Sequence, residues 1–264
     1  MSSIRERNAP RKPRRQGPPT APQKRPEALP GGWIWGWHAV AAALENPRRG
    51  RPERLVATPD RTAELKARFG GALRIETVES ARLNQLLPGA VHQGVALRPG
   101  ELPEVALEEF EARPGAVLVM LDQVTDPQNV GAILRSAAAF GCVGVILQDR
   151  NAPQLTGALA KAAVGAVDKI PVARVVNLSR ALDRLADLGW RALGLDGSAD
   201  VALDQALDGS PTVVVMGSEG AGLRRLVAEH CEVLAKIPMP GGFESLNVSA
   251  AAAIALYEAA RPRP

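Results

Sequence analysis

The stretch Ala116-Val-Leu-Val-Met-Leu-Asp-Gln-Val-Thr-Asp-Pro-Gln-Asn-Val-Gly-Ala-Ile-Leu-Arg-Ser136 sets the fold class. Its first six residues form a continuous apolar run, as a parallel strand buried on both faces requires. Asp126-Pro127 then opens a helix, because proline suits a first turn whose N–H groups have no intrahelical partner. The helix is predicted to run to Phe140 and to stop at Gly141. Within it Ile133, Leu134, Ala137 and Ala138 recur at the spacing of a packed stripe, and Arg135 falls off that stripe. Gly131, one turn earlier, predicts bare helix surface beside the guanidinium. That leaves room for a phosphate, which arginine grips with two N–H groups. An exposed arginine with no ligand satisfies the same pattern.

Downstream the strand–helix rhythm repeats. Strands are predicted over Val143–Leu147, Ile170–Val175, Arg191–Leu195, Thr212–Met216 and Leu234–Ile237. Helices are predicted over Leu155–Val164, Leu178–Leu188, Gly222–Glu229 and Val248–Ala260. This alternation predicts an α/β domain over 115–264, with a parallel sheet covered by helices on both faces. Ligands in such sheets bind beyond the carboxyl ends of the strands. Two further strand ends carry suitable residues. Val213-Val-Val-Met-Gly-Ser-Glu-Gly-Ala-Gly-Leu223 has glycines that permit close backbone approach. It is neither a phosphate loop ending in Gly-Lys-Ser/Thr nor a GxGxxG turn. Ile237-Pro-Met-Pro-Gly-Gly-Phe-Glu-Ser-Leu-Asn-Val-Ser249 places Ser245 and Asn247 where a turn and helix cap are needed. Tight turns and capping alone would also explain both.

Upstream, residues 31–98 read as a smaller α/β unit. Helices are expected over Trp37–Leu44, Arg61–Phe69 and Ser80–Leu87, and strands over 54–58, Leu73–Val78 and 94–97. Residues 99–114 are acidic and interrupted by Pro99, Pro103 and Pro114, and read as a linker with a turn of helix near Val105–Phe110. Residues 1–30 hold seven prolines and almost no apolar side chains, and read as a disordered arm.

The formal charge of +4 is unevenly spread. The arm carries eight basic and two acidic residues, and 31–98 carries ten and six, so an acidic polymer is the expected partner. Arg48, Arg49, Arg51 and Arg54 are candidates for contacting it, with the arm adding salt-sensitive attraction. Aromatic residues make up 3% of the chain, too few for an extended base-stacking platform. No apolar run reaches the ~20 residues of a membrane span, no secretory leader is evident, and the prolines disfavour a helical transit peptide. Cys142 and Cys231 lack metal or redox spacing, and three histidines form no metal centre. Reduced cysteines point to the cytoplasm.

Together the three motifs resemble the SpoU (TrmH) family of the SPOUT superfamily. Its first motif is matched by Asp126, Pro127, Asn129, Gly131 and Arg135. The second is matched by Gly217, Glu219, Gly220 and Gly222, and the third by Ile237-Pro-Met239 and Ser245–Ser249. Residues 33–98 resemble the L30e-like RNA-binding domain of one subgroup, through Gly36–Val40, Glu45-Asn-Pro47 and His92–Val95. That subgroup includes the 23S rRNA guanosine 2′-O-methyltransferases of the RlmB type. The resemblance implies a SPOUT domain with a deep trefoil knot and methyl transfer from S-adenosylmethionine (AdoMet) to a ribose 2′-hydroxyl. It also implies a homodimer. It assigns cofactor contacts to Gly217, Ile237, Met239 and Leu246. Arg135 would act on the hydroxyl, directly or through a substrate phosphate, with Asn129, Glu219, Ser245 and Asn247 orienting the site. A tRNA ribose methyltransferase, or a catalytically silent ribosome-assembly protein on the same fold, are the competing expectations.

Overall fold

The computed structural model describes residues 32–150, 152–243 and 245–261; the arm expected over 1–30 lies outside them. The first unit comprises β1 (Ile34–Trp35), α1 (Trp37–Glu45), β2 (Arg54–Ala57), α2 (Pro59–Phe69), β3 (Glu76–Thr77), α3 (Ser80–Leu86) and β4 (Val95–Arg98). Its sheet runs β1-β4-β2-β3. Alternation along the strands divides the core. Leu55, Ala57, Val95 and Leu97 pack with Ile34, Val40 and Leu65, while Val56 and Ala96 pack with Trp35, Leu83 and Leu87. The strand expected over Leu73–Val78 shrinks to the two exposed residues of edge strand β3, which pairs with β2 alone. β1 was not foreseen, since two residues carry no periodicity.

His92 ties this unit together. The backbone N–H of Gly94 donates to its Nδ1 at 3.0 Å, and Nε2 lies 2.9 Å from Asn84 Oδ1. Nδ1 must therefore be the unprotonated nitrogen. Burial lowers the pKa of His92 from its ordinary 6.5. The unfolded chain thus takes up a proton at a higher pH than the folded one. The stability due to neutral His92 is full above about pH 6.5 and falls as the pH drops below it. Urea midpoints measured from pH 7.5 down to pH 5 should fall in the wild type and fall less in His92→Gln. Parallel profiles would refute this.

Residues 99–114 do not hang free. Val105 and Phe110 are buried, the Val105 N–H donates to Val172 O at 3.4 Å, and Phe110 lies against Gly144. A Cβ on Gly144 would fall 2.2 Å from the Phe110 ring. The segment is a packed strap with a short 3-10 turn at Leu107–Glu109.

The second unit contains β5 (Val117–Leu121), α4 (Pro127–Ala139), β6 (Gly144–Gln148), α5 (Gly157–Ala163), β7 (Val172–Val175), α6 (Leu178–Asp187) and β8 (Arg191–Leu195). It continues with β9 (Val201–Ala202), α7 (Leu203–Ala206), β10 (Thr212–Met216), α8 (Arg225–Glu229), β11 (Val233–Lys236) and α9 (Val248–Ala260). The seven strands are parallel, in the order β7-β6-β5-β10-β8-β11-β9. Val117, Val119 and Leu121 pack under α4, α5 and α9, whereas Leu118 and Met120 face α6. β10 enters between β5 and β8, and β11 lies beyond β8. The chain then returns across the sheet so that α9 packs on α4.

Two expected features are corrected here. Gly131 does not bare the helix beside Arg135. It is where α5 crosses α4, and a Cβ there would fall 2.6 Å from Leu159 O and Ala162 Cβ. The helix expected from Gly222 begins only at Arg225, because Gly222 takes a φ of 66° and Arg224 is extended.

α5 also joins the two units. Ala160 belongs to the core beneath α1, and the N–H of Gly157 donates to Trp33 O at 2.8 Å. Beyond α5, Asp168 accepts from Arg49 Nε at 2.6 Å and from Asn46 Nδ2 at 3.0 Å.

Candidate active site

Three strand ends meet at the site. Asp126 caps α4 by accepting from the N–H groups of Gln128 and Asn129 at 3.2 and 3.3 Å, which fixes Asn129 in the first turn. Asn247 caps α9 in the same way, accepting from Ser249 N and Ala250 N. Between them lies Glu219, from the loop after β10. Its Oε1 accepts from Asn129 Nδ2 at 3.3 Å, from Val248 N at 3.2 Å and from Asn247 Nδ2. Asn247 Nδ2 also reaches Asn129 Oδ1 at 3.1 Å. One carboxylate thus ties the starts of two helices, where the helix dipoles favour an anion.

The loop carrying Glu219 is held from behind by Asp122, which is fully buried at the end of β5. Asp122 accepts from Arg224 N at 2.9 Å and Nε at 2.7 Å, and Arg224 Nη2 reaches Gln148 at 3.2 Å. The sequence reading passed over this pair. A carboxylate at the end of a wholly apolar strand was the signal, since a buried charge demands a partner.

Beside the network lies a cavity of about 330 Å³. Gly217, Ile237, Met239, Ser245 and Leu246 all line it, as does Glu219. Leu195, Asp196 and Gly197, at the end of β8, line it too and were not foreseen. Gly217 has no alternative residue: a Cβ there would lie 2.1 Å from the carbonyl carbon of Gly222. Apolar walls with a few convergent polar groups suit a nucleoside-sized ligand. The residues present therefore fit AdoMet.

Arg135 joins neither network nor cavity. It is exposed on α4, with no hydrogen bond or ion pair to the described residues. Of the four arginines expected at an RNA surface, Arg48 and Arg51 are exposed. Arg54 is engaged by Glu76 at 2.8 and 2.9 Å and lies over Trp33. Arg49 is a correction: its side chain is 5% exposed, and its N–H groups are taken by Asp168 and Gly100 O, out of reach of RNA. The cysteines take no part either, because burial pushes both thiols up to about 12 and keeps them protonated.

Residues 116–257 match the SpoU rRNA Methylase family, and residues 33–102 match a family described as RNA 2′-O ribose methyltransferase substrate binding. The chain belongs to the SpoU family. It is 40% identical to an uncharacterised tRNA/rRNA methyltransferase of Mycobacterium avium, over 97% of this chain and 85% of that one. The AdoMet-bound rRNA methyltransferase of Sinorhizobium meliloti superposes with a TM-score of 0.74 and 27% identity, over 86% of this chain and 85% of that one. The SpoU methyltransferase AviRb of Streptomyces viridochromogenes gives 0.73 and 25%, over 86% and 88%. This SpoU protein is accordingly an RNA methyltransferase that uses AdoMet, with the SPOUT α/β fold and a substrate-binding domain ahead of it. Among the described residues no helix is long and apolar enough to cross a membrane.

Proposed function

We propose that this SpoU protein methylates the 2′-hydroxyl of a guanosine in 23S rRNA. The observation that carries this reading is the network of Asn129, Glu219 and Asn247 beside the cavity, reached from the helix that bears Arg135. AdoMet supplies an electrophilic methyl, so the chain's remaining task is to position and deprotonate a weakly acidic hydroxyl. Arg135 acts here as a cation with a planar fork of N–H groups. It grips a phosphate of the RNA next to the reacting ribose, and that phosphate oxygen takes the hydroxyl proton. Ser245, which lines the cavity, helps to orient the substrate. Gly217, Ile237, Met239 and Leu246 hold the cofactor itself, and Arg48 and Arg51 contact RNA further out.

The ribosomal substrate is supported by a named rRNA methyltransferase that matches across both units of this chain. A homodimer is supported by large apolar side chains left exposed around α9, namely Phe243, Ile254 and Tyr257. A cytoplasmic site of action follows from the RNA substrate. The test is transfer of labelled methyl groups from AdoMet to separated rRNA and tRNA, followed by mapping of the modified nucleotide. Label at a 2′-oxygen of 23S rRNA is expected. Label confined to tRNA, or to a base, would refute the proposal.

A further inference from the structure

The end of the cavity formed by β8 and β11 carries a carboxylate with no role so far. Asp196 follows β8 directly and lines the cavity. Its backbone N–H donates to Ala235 O of β11 at 3.0 Å, which fixes the turn. Its side chain is fixed by Ser198, whose N–H and hydroxyl both donate to Oδ1, at 2.8 and 2.6 Å. These bonds hold the carboxyl below the usual carboxylate range, so it is an anion at neutral pH. A carboxylate offers about four acceptor positions. Ser198 fills two, both on Oδ1, and Oδ2 has no partner among the described residues.

The position of Asp196 along the cavity determines which part of the cofactor it meets. At one end Glu219 joins the starts of α4 and α9. At the other, beyond β10, are the ends of β8 and β11. On the proposed function the transferable methyl would lie toward α4, the helix that bears Arg135. The adenosyl arm, the largest and least polar, would then be held by Leu195, Leu223 and Ala235 of the cavity wall. A ribose presents two hydroxyl donors on neighbouring carbons, and the free acceptor positions of Asp196 match them. Acidic residues beyond strand ends take ribose hydroxyls in this way in dinucleotide-binding sheets.

We propose that Asp196 accepts hydrogen bonds from the ribose diol of AdoMet and so selects a ribonucleoside cofactor. The inference rests on AdoMet as the cofactor. AdoMet has two other donors, the ammonium of its amino-acid arm and the 6-amino group of its adenine, and the ligands below separate all three. The full chain is titrated by calorimetry with AdoMet, S-adenosylhomocysteine and 5′-methylthioadenosine, which lacks the amino-acid arm. The 2′-deoxy and 3′-deoxy forms of 5′-methylthioadenosine are titrated alongside.

In Asp196→Ala all three ribose ligands are expected to bind about tenfold or more weakly, the effect of losing hydrogen bonds to a charged group. Asp196→Asn should fall between. Removing a hydroxyl should weaken binding to the wild type and change little in Asp196→Ala. Unchanged affinity in Asp196→Ala overturns the contact, as does a loss confined to the two ligands that carry the ammonium. Indifference of the wild type to loss of either hydroxyl overturns it too, whether or not Asp196→Ala folds. Failure of the wild type to bind AdoMet would overturn the activity along with the contact, a distinguishable result.

Discussion

Arg135→Ala is expected to lose methyl transfer by at least ~10²-fold while binding AdoMet as the wild type does. The size is that of removing a charge placed beside the reacting group, the role proposed for Arg135. Retained cofactor binding follows from position, because Arg135 lies outside the cavity and holds none of its lining residues. For the same reason the fold should be undisturbed: the side chain is exposed, while Ile133, Leu134 and Ala137 carry the packing of α4. Arg135→Lys distinguishes a charge from a fork. Lysine keeps the cation but cannot engage a phosphate with two parallel N–H groups, so it should restore only part of the activity. Single-turnover transfer and calorimetry on the same preparations check both halves. Full activity in Arg135→Ala would remove Arg135 from the mechanism, and joint loss of binding and activity would recast it as part of the cofactor site.

Arg49→Ala is expected to have the largest effect on stability, about 3–5 kcal/mol. Arg49 and Asp168 are 5% and 2% exposed, so deleting the guanidinium leaves a largely buried carboxylate without its charged partner. Asn46 would remain as a neutral partner at 3.0 Å, too little to replace a charge. The second variant of interest removes both charges. A buried ion pair is often matched by apolar side chains of similar volume, so Arg49→Met combined with Asp168→Leu should recover much of the loss. Denaturant midpoints of the two single variants and the double variant measure the coupling. Additive losses would show that the pair does not act as a unit. The comparison also separates stability from RNA binding, since Arg49 was first expected to contact RNA.

Much of the catalytic unit was legible in the chain because its signals are strong and local. Val117–Leu121 is apolar throughout because both faces are covered, and Asp126-Pro127 starts a helix by chemistry that needs no distant partner. The family resemblance groups Asn129, Glu219, Ser245 and Asn247 as orienting residues, and hydrogen bonds join three of them, Asn129, Glu219 and Asn247. What escaped depends on residues far apart in sequence. Gly131 reads as empty space along its own helix, and α5, some thirty residues later, fills it. Arg49 reads as one of four exposed cations, and Asp168, 119 residues away, claims it. The Asp122–Arg224 pair spans 102 residues for the same reason. Residues 99–114 look like a spacer by composition, yet buried Val105 and Phe110, with Leu107 and Ala112 packed beside them, fasten the strap.

The placement of Ala160 in the core beneath α1 bears on any attempt to retarget this protein by exchanging its RNA-reading module. Sequence boundaries invite a cut between residues 102 and 116, where the two family matches part. A module removed there leaves behind a wall of its own interior, because α5 travels with the other fragment. A transplanted module would meet an α5 shaped for Ile34, Val40 and Leu97 of the original. The exchangeable unit is therefore the module together with α5 and the Asp168 turn, two pieces that the chain keeps apart. A change of RNA target in this architecture has to pass through the catalytic half as well.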